Sequence, residues 1–299
     1  VAAASYEARA FGIRSAMPVR RALEKCPHAH RVPVRMARYR EVSAVVFEIF
    51  RHYTDLVQGL SLDEAYLDVT RAVSAADDIE RIGAAIRRDI AARTGLTASV
   101  GMAHNMLLAK LASDMDKPDG FVRIREEEAA AILAPLPVGR LAGIGPRTAA
   151  RLEAIGVETL AQLHAASDAR LRPVLGNDAR RIRERAAGVD HREVISERED
   201  RSVSAEETFD SNLADPARLH AELAALSHRA VERLTAKALV GGLVRIKVRR
   251  ADFTTQTRQR RIAPATDSRE RLHAVAAGLL DEWLAGEHQV SVRLLGMGI

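Results

Sequence analysis

The chain has 299 residues, of which 47% are apolar and 28% charged, ordinary globular values that exclude general disorder, a collagen-like fibre and a low-complexity tail. Its 45 Lys and Arg against 40 Asp and Glu leave a net charge of +5, which permits a polyanionic partner without demanding one, because local clustering sets the field that a phosphate backbone meets. Cys26 is the sole cysteine, which excludes an internal disulfide framework and a cysteine-based zinc site. No apolar stretch approaches the roughly 20 residues of a membrane span, so a soluble, cytoplasmic protein with no membrane partner is expected. At roughly 100 to 200 residues per domain, the length suits two or three domains.

In chain order, a helix is predicted over 17–26, with Pro18 suited to its first turn. A second runs over 37–53, where Val42, Val45, Val46, Ile49 and Phe50 share one face. Two short β-prone runs, 56–62 and 65–70, then meet at Asp63-Glu64 as a hairpin. A helix over 76–93, a strand over 97–102 and a short helix over 107–115 follow. Residues 126–190 read as nearly all helical, cut by Gly143, Gly145, Gly156, Gly176 and Gly188, and residues 195–201 read as a charged, exposed linker. The last 99 residues read β-α-β-β-α-β, with strands near 202–208, 243–250, 255–262 and 290–295 and helices near 216–237 and 268–285.

The string Leu60-Ser61-Leu62-Asp63-Glu64-Ala65-Tyr66-Leu67-Asp68 carries the most chemistry. Neighbouring side chains on a regular strand point to opposite faces, so Asp63 and Glu64 can share a metal only where the strand breaks. Two adjacent carboxylates are hard oxygen ligands suited to Mg²⁺, which fills its other positions with water and substrate phosphates. For the pair on its own, a solvated acidic turn is the plainer reading.

The company of this string decides between the two. It resembles the carboxylate signature of the Y-family translesion DNA polymerases, most closely the bacterial DNA polymerase IV branch. The run Ser5-Tyr6-Glu7-Ala8-Arg9-Ala10-Phe11-Gly12-Ile13-Arg14 is similar to the family's nucleotide-handling fingers motif. Ser113-Asp114-Met115-Asp116-Lys117-Pro118-Asp119-Gly120, preceded by Val100-Gly101-Met102-Ala103, is similar to its late palm motif. The resemblance implies an α+β multidomain fold: fingers over 1–34, palm over 35–125, a helical thumb over 126–192, a linker over 193–201 and a little finger over 202–299.

It further implies a template-directed polymerase that adds deoxynucleotides to a primer 3′ end by two-metal phosphoryl transfer. Asp63 would help bind two Mg²⁺ ions, and Glu64 would ligate the ion that lowers the pKa of the primer hydroxyl. Tyr6, Arg9 and Lys117 would contact the incoming triphosphate, and Asp68 has a structural role. Primer–template DNA and deoxynucleoside triphosphates are the implied partners of a monomeric enzyme, with a sliding clamp for the intact protein. The alternative is a catalytically inactive relative that binds DNA as an accessory protein.

Three departures stand out. Ala3 replaces a usual hydroxyl residue and Met106 a common Lys. The family's opening strand, with a further metal-binding Asp and a ribonucleotide-excluding aromatic, does not precede Val1, so the residues 1–299 by themselves are expected not to catalyse.

Two further features suit DNA. Leu141-Ala142-Gly143-Ile144-Gly145-Pro146-Arg147-Thr148 is a helix-hairpin-helix signature: Gly143, Ile144 and Gly145 would bring backbone close to a phosphate, ahead of free N–H groups at a helix start. An αα-turn that only packs helices is the plainer reading. Gly176-Asn177-Asp178 is a candidate degenerate second copy. Val244-Arg245-Ile246-Lys247-Val248-Arg249 alternates apolar and basic residues, and Arg258, Arg260 and Arg261 extend the basic run. Arg245, Lys247, Arg249, Arg258 and Arg260 are the expected phosphate contacts, which carry affinity without reading sequence.

Overall fold

Ser5 Oγ accepts from Ala8 N at 3.3 Å and caps α1 (Tyr6–Ala10). In this computed structural model, which describes residues 1–75, 77–197 and 201–299, Pro18 stands at the N-cap of α2 (Val19–Lys25), one residue outside the helix. Ile13, Ala22 and Cys26 close a small core beneath these two helices. The face marked out by apolar spacing on α3 (Met36–Tyr53) is the one that packs: Ile49 and Phe50 are buried and Val45 and Val46 half-buried. The chain divides into two compact units, Val1–Glu197 and Arg198–Ile299. Residues 198–200, within the expected linker, lie outside the described residues.

The expected hairpin forms, with β1 (Val57–Gly59) antiparallel to β2 (Ala65–Leu67) and Gly59 opposite Ala65. Its strands are shorter than the β-prone runs because residues 60–64 make the turn. Beyond β2, Asp68 Oδ1 accepts at 2.9 Å from the backbone N–H of Thr70, the first residue of a single 3-10 turn, Thr70–Ala72. Those bonds from Thr70 hold the Asp68 carboxyl below its usual pKa, which fits the structural role expected of it. Ile86 and Ile90 of α4 (Asp78–Thr94) complete the α3 core; Ala76, the expected first residue of that helix, lies outside the described residues.

The strand β3 (Val100–Met102) lies directly on α5 (Met106–Met115), whose N-cap Asn105 accepts from Leu108 N at 3.0 Å. Only glycine fits at 101, where a Cβ would stand 2.1 Å from Ala109 O. A strand absent from the sequence expectation, β4 (Phe121–Arg123), runs parallel to β3. Three residues are too few to show an alternation.

The helical stretch comprises α6 (Glu126–Leu133), α7 (Pro146–Glu153), α8 (Leu160–Ala165), α9 (Asp168–Leu175) and α10 (Ala179–Ala186). Its core is continuous with α5: Leu107, Leu108 and Leu111 pack with Leu133, Leu152, Leu163 and Leu171. Each fully buried leucine contributes about 1.5–3 kcal/mol of transfer free energy.

The second unit holds β5 (Ser204–Leu213), α11 (Pro216–Thr235), β6 (Gly241–Arg250), β7 (Thr255–Thr266), α12 (Arg269–Ala285) and β8 (Val292–Gly298), the β-α-β-β-α-β order read from the sequence. The strands pair antiparallel in the order β5-β8-β6-β7. Both helices cover one face, where Val244, Ile246 and Val248 pack with Leu223, Leu279 and Trp283. The other face carries Arg245, Lys247 and Arg249.

Candidate active site and nucleic-acid interface

Backbone hydrogen bonding places the two carboxylates. Leu60 N donates to Glu64 O at 2.8 Å and closes the hairpin turn, so Asp63 sits in the turn while Glu64 leads into β2. The strand alternation that would separate two adjacent side chains is therefore interrupted at Asp63. Ser61 Oγ donates to Asp63 Oδ1 at 2.6 Å, and Lys110 Nζ donates to Glu64 Oε1 at 2.9 Å. The second oxygen of each carboxylate accepts no hydrogen bond among the described residues. Those two oxygens, with substrate phosphates and water for the remaining positions, form a donor set of the kind Mg²⁺ takes. The described residues contain no group of three or more His, Cys, Asp and Glu arranged to hold an ion without such help.

Lys110 was not singled out by the sequence. Its ammonium also lies 3.5 Å from Asp114 Oδ2, and Lys117 Nζ is 2.5 Å from Asp114 Oδ1. Glu64 of the hairpin thus heads a row of alternating charge that Lys110, Asp114 and Lys117 continue along α5 and its C-terminal turn. Burial works against the charge on Lys110, yet the bond it donates to Glu64 and the charge of Asp114 raise its pKa. Asp114 is likewise pulled below the usual carboxylate range, against its own burial, by Lys117 and Lys110. Lys117, expected at the triphosphate, is held here by Asp114.

Tyr6 and Arg9 come together as their spacing on a helix requires. The guanidinium lies 4.8 Å from the ring centroid, and its Nε donates to Ala4 O at 3.1 Å. The ring is nearly half exposed. Among the described residues neither hydrogen-bonds to the hairpin, so the expected site residues fall into two groups, the nucleotide contacts Tyr6 and Arg9 together, and the nucleotide contact Lys117 linked to the expected metal ligand Glu64 through Asp114 and Lys110.

The helix-hairpin-helix signature folds as a 3-10 turn, Val138–Arg140, then residues 141–145, then α7 with Gly145 as its N-cap and Pro146 in its first turn. The side chain of Ile144 is buried with Leu141 in the helical core, because an apolar side chain gains more there than at a phosphate. Only its backbone remains for an anion. Gly145 borders open space, and Gly143 has φ of +100°, a conformation that a side chain would strain. The candidate second copy is a 3-10 turn, Gly176–Asp178, that leads directly into α10.

The basic run of the second unit is split between two faces. Arg245, Lys247 and Arg249 pair with Gln259, Thr257 and Thr255 on the open face. Arg258 and Arg260, expected in the same strip, stand opposite Ile246 and Val244 and so belong to the helix-covered face. Arg260 is ion-paired with Glu282 of α12. On the open face Lys247 Nζ is bonded to both oxygens of Glu206, at 2.8 and 3.0 Å. Gly296 of β8 lies between them; a Cβ there would stand 2.8 Å from Glu206 Cγ.

Comparison with known proteins finds relatives over nearly the whole chain. Residues 1–114 match the impB/mucB/samB family, 126–157 the IMS family HHH motif and 200–299 the impB/mucB/samB family C-terminal domain. DNA polymerase IV of Halorhodospira halophila is 43% identical over 100% of this chain and 83% of its own length. That of Desulfatibacillum aliphaticivorans is 40% identical over 99% of this chain and 74% of its own. Among solved structures, a Y-family DNA polymerase chimera of Dbh and Dpo4 matches with a TM-score of 0.90 at 25% identity, covering 99% of this chain and 85% of the chimera. DinB from Sulfolobus solfataricus matches with a TM-score of 0.66 at 26% identity, covering 100% of this chain and 87% of that one. With relatives this similar over nearly its full length, the chain belongs to the Y family of translesion DNA polymerases, on the DNA polymerase IV branch, and is a DNA-directed DNA polymerase.

Proposed function

We propose that the turn between β1 and β2 is the phosphoryl-transfer centre, with Asp63 and Glu64 as ligands of two Mg²⁺ ions. The observation that carries this reading is the pair of adjacent carboxylates, each with one oxygen left without a protein donor, at the turn of a hairpin. When bound, the ions would lower the pKa of the primer 3′-hydroxyl and neutralise charge on the departing pyrophosphate. The chain's own residues orient and neutralise. Ser61 fixes the rotamer of Asp63, Lys110 holds Glu64 until a stronger cation competes for it, and Lys117 reaches the triphosphate by exchanging Asp114 for a phosphate oxygen. Tyr6 and Arg9 hold the same triphosphate, the ring keeping the guanidinium fork in place while its N–H groups meet phosphate oxygens.

The same proposal assigns fingers to 1–34, palm to 35–125, thumb to 126–192, linker to 193–201 and little finger to 202–299. Hairpin backbone at Gly143, Ile144 and Gly145 holds one stretch of DNA backbone, and Arg245, Lys247 and Arg249 hold another. Arg258 and Arg260 contribute from the edge of the opposite sheet face. A sliding clamp as partner of the intact protein, a monomeric state and a cytoplasmic location come with the family resemblance.

Binding of a fluorescent deoxynucleoside triphosphate, measured with and without Mg²⁺, tests the site. Asp63→Asn and Glu64→Gln should remove the Mg²⁺-dependent gain in affinity, whereas Arg9→Ala should weaken binding under both conditions. A Mg²⁺ dependence that survives both carboxylate substitutions would overturn the assignment.

A further inference from the structure

Arg185 of α10 is 8% exposed and forms no ion pair among the described residues. Its Nε is buried without a hydrogen-bond partner. The carboxylate that most favours its charge, Asp190, is taken by Arg192, which donates Nε and Nη2 to the two Asp190 oxygens at 2.8 and 2.7 Å. Burial and then the charge of Arg192 lower the pKa of the Arg185 guanidinium, which nonetheless stays protonated. A buried cation that lacks a bonded anion is costly, so an anion that reached it would be held strongly.

The direction in which the guanidinium points identifies that place. Arg185 Nη1 lies 3.5 Å from the position a Cβ on Gly143 would occupy, at the hairpin before α7. Gly143 has φ of +100°, and the space beside Gly145 is open. The eight-residue α7 starts there with N–H groups that no side chain caps. Amides at a helix start supply partial positive charge, and a planar guanidinium supplies a full charge and a fork that matches two phosphate oxygens.

We propose that Arg185 is the cation of the hairpin's phosphate site, reaching from α10 to a DNA backbone phosphate that the amides of 143–145 and the start of α7 hold. This rests on the reading that the hairpin grips DNA.

The test measures duplex DNA binding by the full chain across a salt series. Arg185→Met should weaken binding roughly tenfold, as for loss of a charged hydrogen bond. It should also lower the slope of log K against log salt by about 0.9, the loss of one phosphate contact. Arg185→Lys should keep the slope, and Gly143→Ala, which strains the hairpin, should weaken binding whatever Arg185 does. If Gly143→Ala loses affinity while Arg185→Met binds as the unsubstituted chain does, the hairpin reading stands and the role of Arg185 falls. If neither changes, both fall. A loss of affinity by Arg185→Met at unchanged slope also overturns the role. The unsubstituted chain gives a readout that needs no folded variant: the Arg185 Nε–H resonance should shift when duplex DNA is added, and a resonance that stays in place overturns the proposal.

Discussion

Lys110 Nζ lies 2.9 Å from Glu64 Oε1 and 3.5 Å from Asp114 Oδ2, so one ammonium on α5 ties a proposed metal ligand to a second carboxylate. A divalent cation that binds Glu64 must compete with this pairing. Lys110→Met should therefore bind Mn²⁺ or Mg²⁺ more tightly in the absence of DNA and nucleotide. A half-exposed ion pair is worth about 1 kcal/mol, which corresponds to a gain of roughly fivefold. Calorimetric titration of the two chains checks it; equal affinities would show that Lys110 and the metal do not contend for Glu64.

Glu206 neutralises the central cation of the open sheet face, because the missing side chain at Gly296 lets Lys247 reach it across β8. Glu206→Gln should release Lys247 to DNA, tighten binding at low salt and steepen the slope of log K against log salt by about 0.9. Lys247→Gln should by itself flatten the slope less than Arg245→Gln or Arg249→Gln, which remove cations that have no carboxylate partner among the described residues. The order of these three slopes, read from anisotropy titrations, decides whether Glu206 restrains the grip on DNA.

Much of this was legible in the sequence for local reasons. The apolar-basic alternation over 244–249 marks the open face of β6, and Asp63-Glu64 interrupts two β-prone runs at the turn. What was not legible depends on register and on contacts distant in sequence. The run Thr255-Gln256-Thr257-Arg258-Gln259-Arg260-Arg261 on an edge strand has no apolar residue to mark its faces, so only pairing with β6 places Arg258 and Arg260 opposite to Arg245 and Lys247. Lys110 meets a carboxylate 46 residues away in sequence. Arg185 is one of four arginines on α10, but it adjoins the stripe of Ala179, Ile182 and Ala186, a spacing that could have singled it out.

Leu108 tests the continuity of the core between α5 and the helices beyond residue 126. It is fully buried among residues from both stretches, and its removal leaves a cavity that neither can close alone. Leu108→Ala should cost about 2–5 kcal/mol of unfolding free energy. Leu239→Ala, at a position 38% exposed in the second unit, should change stability by less than about 0.5 kcal/mol. Urea unfolding followed by circular dichroism distinguishes them, and equal midpoints would show that α5 is not part of the helical core.

Tyr53 gives a pH dependence with a defined sign. Its hydroxyl donates to Asp89 Oδ2 at 2.5 Å, and burial, then the Asp89 bond and charge, push the phenol up from 10.0 to about 12. The folded chain thus holds this proton more tightly than the unfolded one. The resulting stabilisation is fully present below pH 10.0 and is lost as pH rises towards about 12. Titration of tyrosine absorbance in the folded chain should show a late step near pH 12 that Tyr53→Phe removes and Asp89→Asn moves to lower pH. The stability difference between the unsubstituted chain and Tyr53→Phe should narrow over the same interval. A late step that persists in Tyr53→Phe would assign it to another phenol, such as Tyr66, whose pKa burial also raises.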